Sequence, residues 1–181
     1  MELSIVRSGD LPEEELGTLR SFLTEAFDGR FDHGNWANAL GGTHVIARDR
    51  GMIAAHASVV PRMLYFSAEV DSWPDAIVRE VGYVESVAVE SRLRGRGLGS
   101  EVLNTINQLV RNQFGFGALA TSSHPFYERA GWRRWAGPTY VYRRGEVIRT
   151  LGGEQWLMVL ASADTTLTAA IACEWRDGDL W

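Results

Sequence analysis

A single cysteine in 181 residues, Cys173, leaves no partner for a disulfide and no cysteine-based metal site. Histidine is nearly as scarce. The four, at positions 33, 44, 56 and 124, form no HExxH pair and no ligand-like cluster. No apolar run approaches the roughly 18 residues that a membrane span requires. Positive charge is in deficit, because 18 Lys and Arg against 23 Asp and Glu give a net charge of -5 and a pI near 5.4. The basic face of a nucleic-acid-binding domain is therefore not signalled. The opening stretch MELSIVRSGDLPEEE is too acidic and too broken for a signal peptide. These absences set the first expectations: no nucleic acid, no membrane, and a reducing cytoplasm.

What is present is an ordinary globular composition, 45% hydrophobic and 23% charged, in a chain long enough to bury a sizeable core. No repeat, linker or low-complexity segment divides it, so one domain spanning 1–181 is expected. Residues 2–7 read as a short strand. A helix follows Asp10, with Pro12 and three acids at its start and Leu16, Leu19, Phe22, Leu23 and Ala26 along one face. GRFDHGNW, 29–36, reads as a loop or broken turn rich in polar groups. HVIARD and MIAAHASVV, joined at Arg50-Gly51, read as a hairpin. A further strand is expected over 62–70, after Pro61, and a loop over 71–76. YVESVAVE, 83–90, is a strong strand that leads through a glycine-rich turn, 91–100, into an amphipathic helix carrying Leu98, Val102, Leu103, Ile106, Leu109 and Val110. A strand at 116–122, a short helix ended by Gly131, a strand-like run at 132–144 and strands at 155–161 and 166–175 complete the chain. Such an order predicts an α/β (α+β) fold, with a mixed, mostly antiparallel sheet flanked by helices.

The turn Arg94-Gly95-Arg96-Gly97-Leu98-Gly99-Ser100 sits between strand and helix. Glycines let backbone N–H groups crowd a ligand, the helix N-terminus adds its positive dipole end, and Arg92, Arg94 and Arg96 add cations. Together they describe an anion site for a phosphate or pyrophosphate. The alternative is a solvated arginine-rich turn. The P-loop spacing is absent, and the dinucleotide fingerprint fails at Ser100, where its third glycine belongs.

The spacing R-x-x-G-x-G, carried here by Arg94, Gly97 and Gly99 after VESVAV, resembles the acetyl-coenzyme A signature of the GCN5-related N-acetyltransferases (GNAT). ALGGTHVIA, GYVESVAV, SSHPFYERAGW and the closing WRDGDLW, in that order, further resemble the aminoglycoside 2′-N-acetyltransferases. The resemblance implies a GNAT fold whose central strands splay to admit acetyl-coenzyme A, direct acetyl transfer to an aminoglycoside, no metal, and a homodimer. It also implies that amides near Val87, Ala88 and Val89 meet the acetyl carbonyl and pantetheine arm. Turn amides from Arg94 to Ser100, Leu98 included, would hold the pyrophosphate.

Candidate catalytic groups follow from the same match. Glu85, beside Ser86, either points to solvent or lies in surroundings dry enough to serve as base. Tyr127 is either a core aromatic or, by the resemblance, the acid that protonates the leaving thiolate. The tail EWRDGDLW closes on an indole behind Asp177 and Asp179, which is either frayed or tucked into the fold. By the resemblance it lines the substrate pocket, with Asp179 and the Trp181 carboxylate facing ammonium groups. Trp36 is a candidate for stacking on a sugar ring. Where relatives carry two acids after the first helix, this chain has Arg30 and Asn35, with Asp32 between them. That departure favours an acceptor with fewer amines or an acidic group, such as kasugamycin, over gentamicin or tobramycin; an idle surface Arg30 is the alternative.

Overall fold

The computed structural model describes residues 1–68 and 73–181. The last part of the strand read over 62–70 and the start of the loop read over 71–76 lie outside them. The chain forms two compact units, Met1–Val60 with Val84–Leu109, and Pro61–Tyr83 with Val110–Trp181.

The first unit contains β1 (Glu2–Arg7), α1 (Glu13–Ala26), α2 (His33–Ala39), β2 (Thr43–Asp49), the start of β3 (Met52–Ser67), the end of β4 (Ile77–Val89) and α3 (Leu98–Leu109). β1 pairs antiparallel with β2, and β2 with β3. Arg50 and Gly51, both at positive φ, make the tight hairpin turn. The register then shifts by one between Ala47 and Arg48, so Arg48 faces Ile53 while Ala47 faces Ala55 and Ile46 faces His56. Glu13, Glu14 and Glu15 complement the helix dipole at the start of α1. Its apolar stripe buries Leu19 and Leu23 against Phe31, Ile46 and Ala88, with Leu16, Phe22 and Ala26 at the margin. Each fully buried leucine stabilises the packing by about 1.5–3 kcal/mol.

The polar loop read at 29–36 is corrected here. Asp32 accepts a hydrogen bond from the Asn35 N–H at 2.8 Å, and Asn35 Oδ1 accepts from the Asp32 N–H at 3.2 Å. This capping box starts α2 at His33, so half of the supposed loop is a helix.

In the second unit, strands run β6-β9-β5-β4-β3-β10-β7-β8, where β5 is Gly117–Ala120, β6 Arg133–Arg134, β7 Thr139–Arg143, β8 Glu146–Arg149, β9 Leu157–Leu160 and β10 Ala170–Glu174. Pairing is mostly antiparallel; β4–β5 and β7–β10 are parallel. The two strands read on either side of Pro61 are one, β3, which changes partner across that residue, from β2 before it to β10 after it. Proline lacks the N–H for a ladder bond, and a change of partner is a place where none is needed. The described β4–β5 ladder holds Gly82↔Gly117 and Tyr83↔Ala118, and β4 runs on to Val89 past it. The single run read at 132–144 is two strands, because Ala136 and Gly137 donate to the Leu167 carbonyl instead of to a neighbouring strand. β8 was not foreseen. Among the described residues, no helix is long and apolar enough to cross a membrane.

Candidate active site

In the first unit, GYVESVAV loses its regular pleat at Ser86, which adopts φ +53°. Left-handed backbone at a residue with a Cβ costs about 1 kcal/mol and persists where neighbours fix it. Two β3 side chains do so. Ser58 Oγ donates to the Glu85 carbonyl at 3.3 Å, and His56 Nδ1 lies 2.8 Å from the Ser86 carbonyl. Glu85, Ser86, Val87 and Val89 are half-buried, and Ala88 is buried against α1. Glu85 thus has neither the dry setting nor the freely solvated one.

After Glu90 the chain makes a short helical turn, Ser91–Leu93. Arg94 donates to the Val89 carbonyl at 3.2 Å and to the Ala26 carbonyl at 2.9 Å, tying the turn to the end of α1. Arg92 pairs with Glu90 at 2.8 Å, and Arg96 is exposed. Gly95 and Gly97 stand at φ +77° and +86°, where a Cβ would meet nothing within 4 Å. Glycine is required there by backbone conformation, and the space above it is open. Leu98, buried, anchors the first turn of α3; Gly99 and Ser100 follow it. The first amides of this 12-residue helix have no partners within it and carry the positive end of its dipole. An open left-handed turn, these amides and the cations of Arg92 and Arg96 fit an anionic group such as a pyrophosphate.

In the second unit, Tyr127 lies in α4 (His124–Glu128) and is buried, edge-on to Phe126 at 4.9 Å and to Trp132 at 6.1 Å. Burial raises the phenol above its ordinary value, since a phenolate would be desolvated, so the hydroxyl keeps its proton at neutral pH. The tail is docked. Trp181 Nε1 donates to Thr150 Oγ1 at 3.1 Å, Cys173 Sγ donates to the Leu180 carbonyl at 3.4 Å, and Arg62 Nη2 donates to the same carbonyl. Arg176 Nε closes the bend on the Asp179 carbonyl at 2.7 Å. The Asp179 side chain is exposed.

Residues 12–132, which include the Ser86 bulge, the glycine turn and Tyr127, match the model of the acetyltransferase (GNAT) family. The chain belongs to the GNAT acetyltransferase family. A curated relative, the aminoglycoside 2′-N-acetyltransferase of Mycolicibacterium fortuitum, is 38% identical over 184 residues, covering 98% of this chain and 90% of that one. The GNAT fold is also that of the Escherichia coli N-acetyltransferase YhbS in complex with CoA (TM-score 0.59, 14% identity, 95% and 88% of the two chains). A Brucella melitensis GNAT acetyltransferase in complex with acetyl-CoA gives a TM-score of 0.58 at 14% identity, with 97% of each chain covered.

Within this GNAT chain, the residues after α1 have partners of their own. Arg30 is exposed and pairs with Asp28 at 3.3 Å. Asp32 and Asn35 form the capping box, and Trp36, half-buried, packs edge-on to Phe31 at 6.5 Å at the margin of the first unit's core. Arg62 and Thr150, which hold the tail, and His56 and Ser58, which hold the bulge, were not singled out from the sequence. Each acts through a partner more than two dozen residues away in the chain or across a sheet register that no motif encodes.

Proposed function

We propose that the protein is an acetyl-coenzyme A-dependent aminoglycoside 2′-N-acetyltransferase, transferring the acetyl group directly to the drug's 2′-amine. One observation carries the reading: a left-handed bulge runs into a glycine turn at a helix N-terminus, in a chain 38% identical over nearly its whole length to such an enzyme. The amides of Val87 and Val89 would hold the acyl arm, and those from Arg94 to Ser100 the pyrophosphate. When bound, acetyl-coenzyme A supplies the activated acetyl group.

The chain's own residues supply the rest. Glu85 takes the proton from the acceptor amine, directly or through water, because only a neutral amine attacks. The Val87 N–H meets the charge that develops on the acyl oxygen. Tyr127, kept protonated by burial, gives its proton to the departing sulfur. Asp179 and the Trp181 carboxylate receive the acceptor's ammonium groups. Tyr127→Phe then lowers turnover by about a hundredfold with little change in either KM. Wild-type turnover in that variant removes Tyr127 from proton transfer.

The finer reading is a kasugamycin-type acceptor. Asp32, an acid of the segment after α1, is engaged in capping α2, and Arg30 adds a cation there, which disfavours polycationic drugs. A thiol-release assay with kasugamycin, gentamicin and neamine, followed by NMR of the product, tests both levels. The chain contains no lysine, so self-acetylation contributes almost no background. Release with a lysine peptide or simple amines and with no aminoglycoside would overturn the reading. Release with gentamicin in preference to kasugamycin would overturn its finer part.

A further inference from the structure

The proposed chemistry uses neither of the two histidines buried in the first unit. His56 and His44 are both fully buried, with ring centroids 5.2 Å apart. They form an unbroken chain: Ser8 Oγ to His44 Nε2 at 2.8 Å, His44 Nδ1 to His56 Nε2 at 2.9 Å, and His56 Nδ1 to the Ser86 carbonyl at 2.8 Å. The last member settles the direction of every proton. A carbonyl oxygen can only accept, so His56 Nδ1 carries hydrogen and donates. Burial holds His56 and His44 at about 3 and about 4, so both rings are neutral at physiological pH. His56 Nε2 is then bare and accepts from His44 Nδ1–H, and His44 Nε2 accepts from the Ser8 hydroxyl. Ser8 is satisfied in turn: its hydroxyl also lies 3.2 Å from the Gly42 carbonyl, the longer of its two acceptors, the Gly41 N–H donates to its Oγ at 3.1 Å, and its own N–H serves the Gly42 carbonyl at 3.0 Å.

A chain that ends on a carbonyl cannot carry a proton out of a site. Its effect is geometric. The Ser86 carbonyl and the Val87 N–H belong to one planar trans peptide and point in opposite directions. Tying the carbonyl to His56 therefore aims the Val87 N–H directly away from His56. Ser86 stands at φ +53°, so without that tie the peptide gains by rotating back to the extended region, and the N–H turns with it. Hydrogen bonds weaken steeply once misaligned.

We propose that His56, backed by His44 and Ser8, is a positioning residue for acetyl transfer: through the Ser86 carbonyl it aims the Val87 N–H at the acyl oxygen. The inference rests on Val87 being the donor to that oxygen, and it adds the residues that set the donor's direction.

The test begins with the intact protein labelled with 15N-histidine. Both His44 and His56 are expected as Nδ1–H tautomers at neutral pH, and an Nε2–H His56 overturns the chain. Steady-state kinetics then compare His56→Leu with His56→Asn, whose amide nitrogen stands close to the place of Nδ1 and restores the bond to Ser86. His56→Leu should lose about tenfold or more in kcat with both KM values nearly unchanged, as expected for a group felt only in the transition state. His56→Asn should recover to within about threefold of wild type. A folded His56→Leu with full kcat, or a His56→Asn no better than His56→Leu, overturns the role. If His56→Leu does not fold, Ser8→Ala at the outer end of the chain decides: a kcat loss with unchanged KM supports the proposal, and an unchanged kcat overturns it. An enzyme already inactive as wild type condemns the functional reading, whereas an active wild type with active variants condemns the positioning role alone.

Discussion

At Ser86 the chain steps out of the pleat of β4, and after Glu174 it leaves β10 and bends back on itself through Gly178. Both departures are held by side chains, and by different kinds. The bulge is held by neutral imidazoles and a serine hydroxyl in a fully buried setting, whereas the tail is held by a guanidinium and an indole at half-buried positions. Burial decides between them. A cation at the place of His56 would lose its hydration with no counter-charge in its chain of partners, so the group there is one that burial keeps uncharged. Arg62, half-buried, stacks over Tyr83, 4.7 Å from the ring centre, where Arg176 also lies at 5.2 Å, while it donates to the carbonyls of Leu180 and Glu174. A neutral chain aims one peptide; a charged clasp holds the tail.

The two regions should therefore fail separately. The largest effect is expected from opening the clasp. Deleting Leu180-Trp181, extending the C-terminus, or Arg62→Ala should each raise the aminoglycoside KM by about ten- to a hundredfold, since a hydrogen bond to a charged group is worth about 1.5–3 kcal/mol. Acetyl-coenzyme A affinity by calorimetry should stay as in wild type. A C-terminally extended enzyme with unaltered KM would show that the tail belongs to no site.

A smaller effect follows from the seat of the indole. A Cβ at Gly153 would stand 2.4 Å from Thr139 Oγ1, 3.1 Å from Thr150 Oγ1 and 3.2 Å from Trp181 Cδ1, so Gly153→Ala must shift the threonine hydroxyls that seat the indole. Thr150→Val removes the acceptor for the indole N–H together with the hydroxyl's own bond to Thr139 Oγ1 at 2.8 Å; the lost indole bond costs about 1 kcal/mol, or about fivefold in the same KM. If both variants leave the KM untouched, the indole anchors nothing that substrate feels. On the other side of the comparison, Gly97→Ala places a Cβ in open space but at φ +86°, a strain of about 1 kcal/mol. It should weaken acetyl-coenzyme A binding by about fivefold and leave the aminoglycoside KM alone. A reversed pattern would dissolve the division between the regions.

The subtlest effect is on stability. His44 and His56 are depressed from 6.5 to about 4 and about 3 in the fold, so below pH 6.5 the unfolded chain binds protons that the native chain refuses. Stability is then full above pH 6.5 and falls as the pH drops toward about 4, by up to about 1.4 kcal/mol per unit for each histidine. His56→Asn removes one of these groups, so its Tm should fall less steeply than wild type between pH 6.5 and 4.5. Parallel Tm profiles would mean that His56 is not held neutral by the fold.

Much of the fold was legible because local chemistry marks it. The acids at the start of α1, the apolar stripe of α3 and the Arg50-Gly51 turn each point to their element through a short-range rule. The same rule was available at Arg144-Gly145, where both residues also take positive φ and join β7 to β8, yet that hairpin went unread because YVYRR looked like one strand running on. α2 was missed because a capping box of Asp and Asn resembles loop chemistry until its two bonds are seen. Among the site residues, the glycine turn was read as an anion site, and its left-handed glycines and the helix that follows it were legible in the sequence. Arg94 was counted among its cations, although its guanidinium in fact ties the turn to the end of α1.

The sequence by itself determined the strand–turn–helix at 83–110 and the family, while it left the tail either frayed or tucked in. What only the tertiary structure decided is shown by the histidines. With an unbroken hairpin from Arg50-Gly51, Asp49 opposite Met52 would place His56 opposite Val45, on the face away from His44. The one-residue shift between Ala47 and Arg48 places His56 opposite Ile46 instead, on the same face as His44. Because strand side chains alternate with a period of two, one extra residue moves every later side chain to the other face. No motif signals that residue. It is chosen by which apolar set each face of β3 must bury, and that exists only once the sheet has formed.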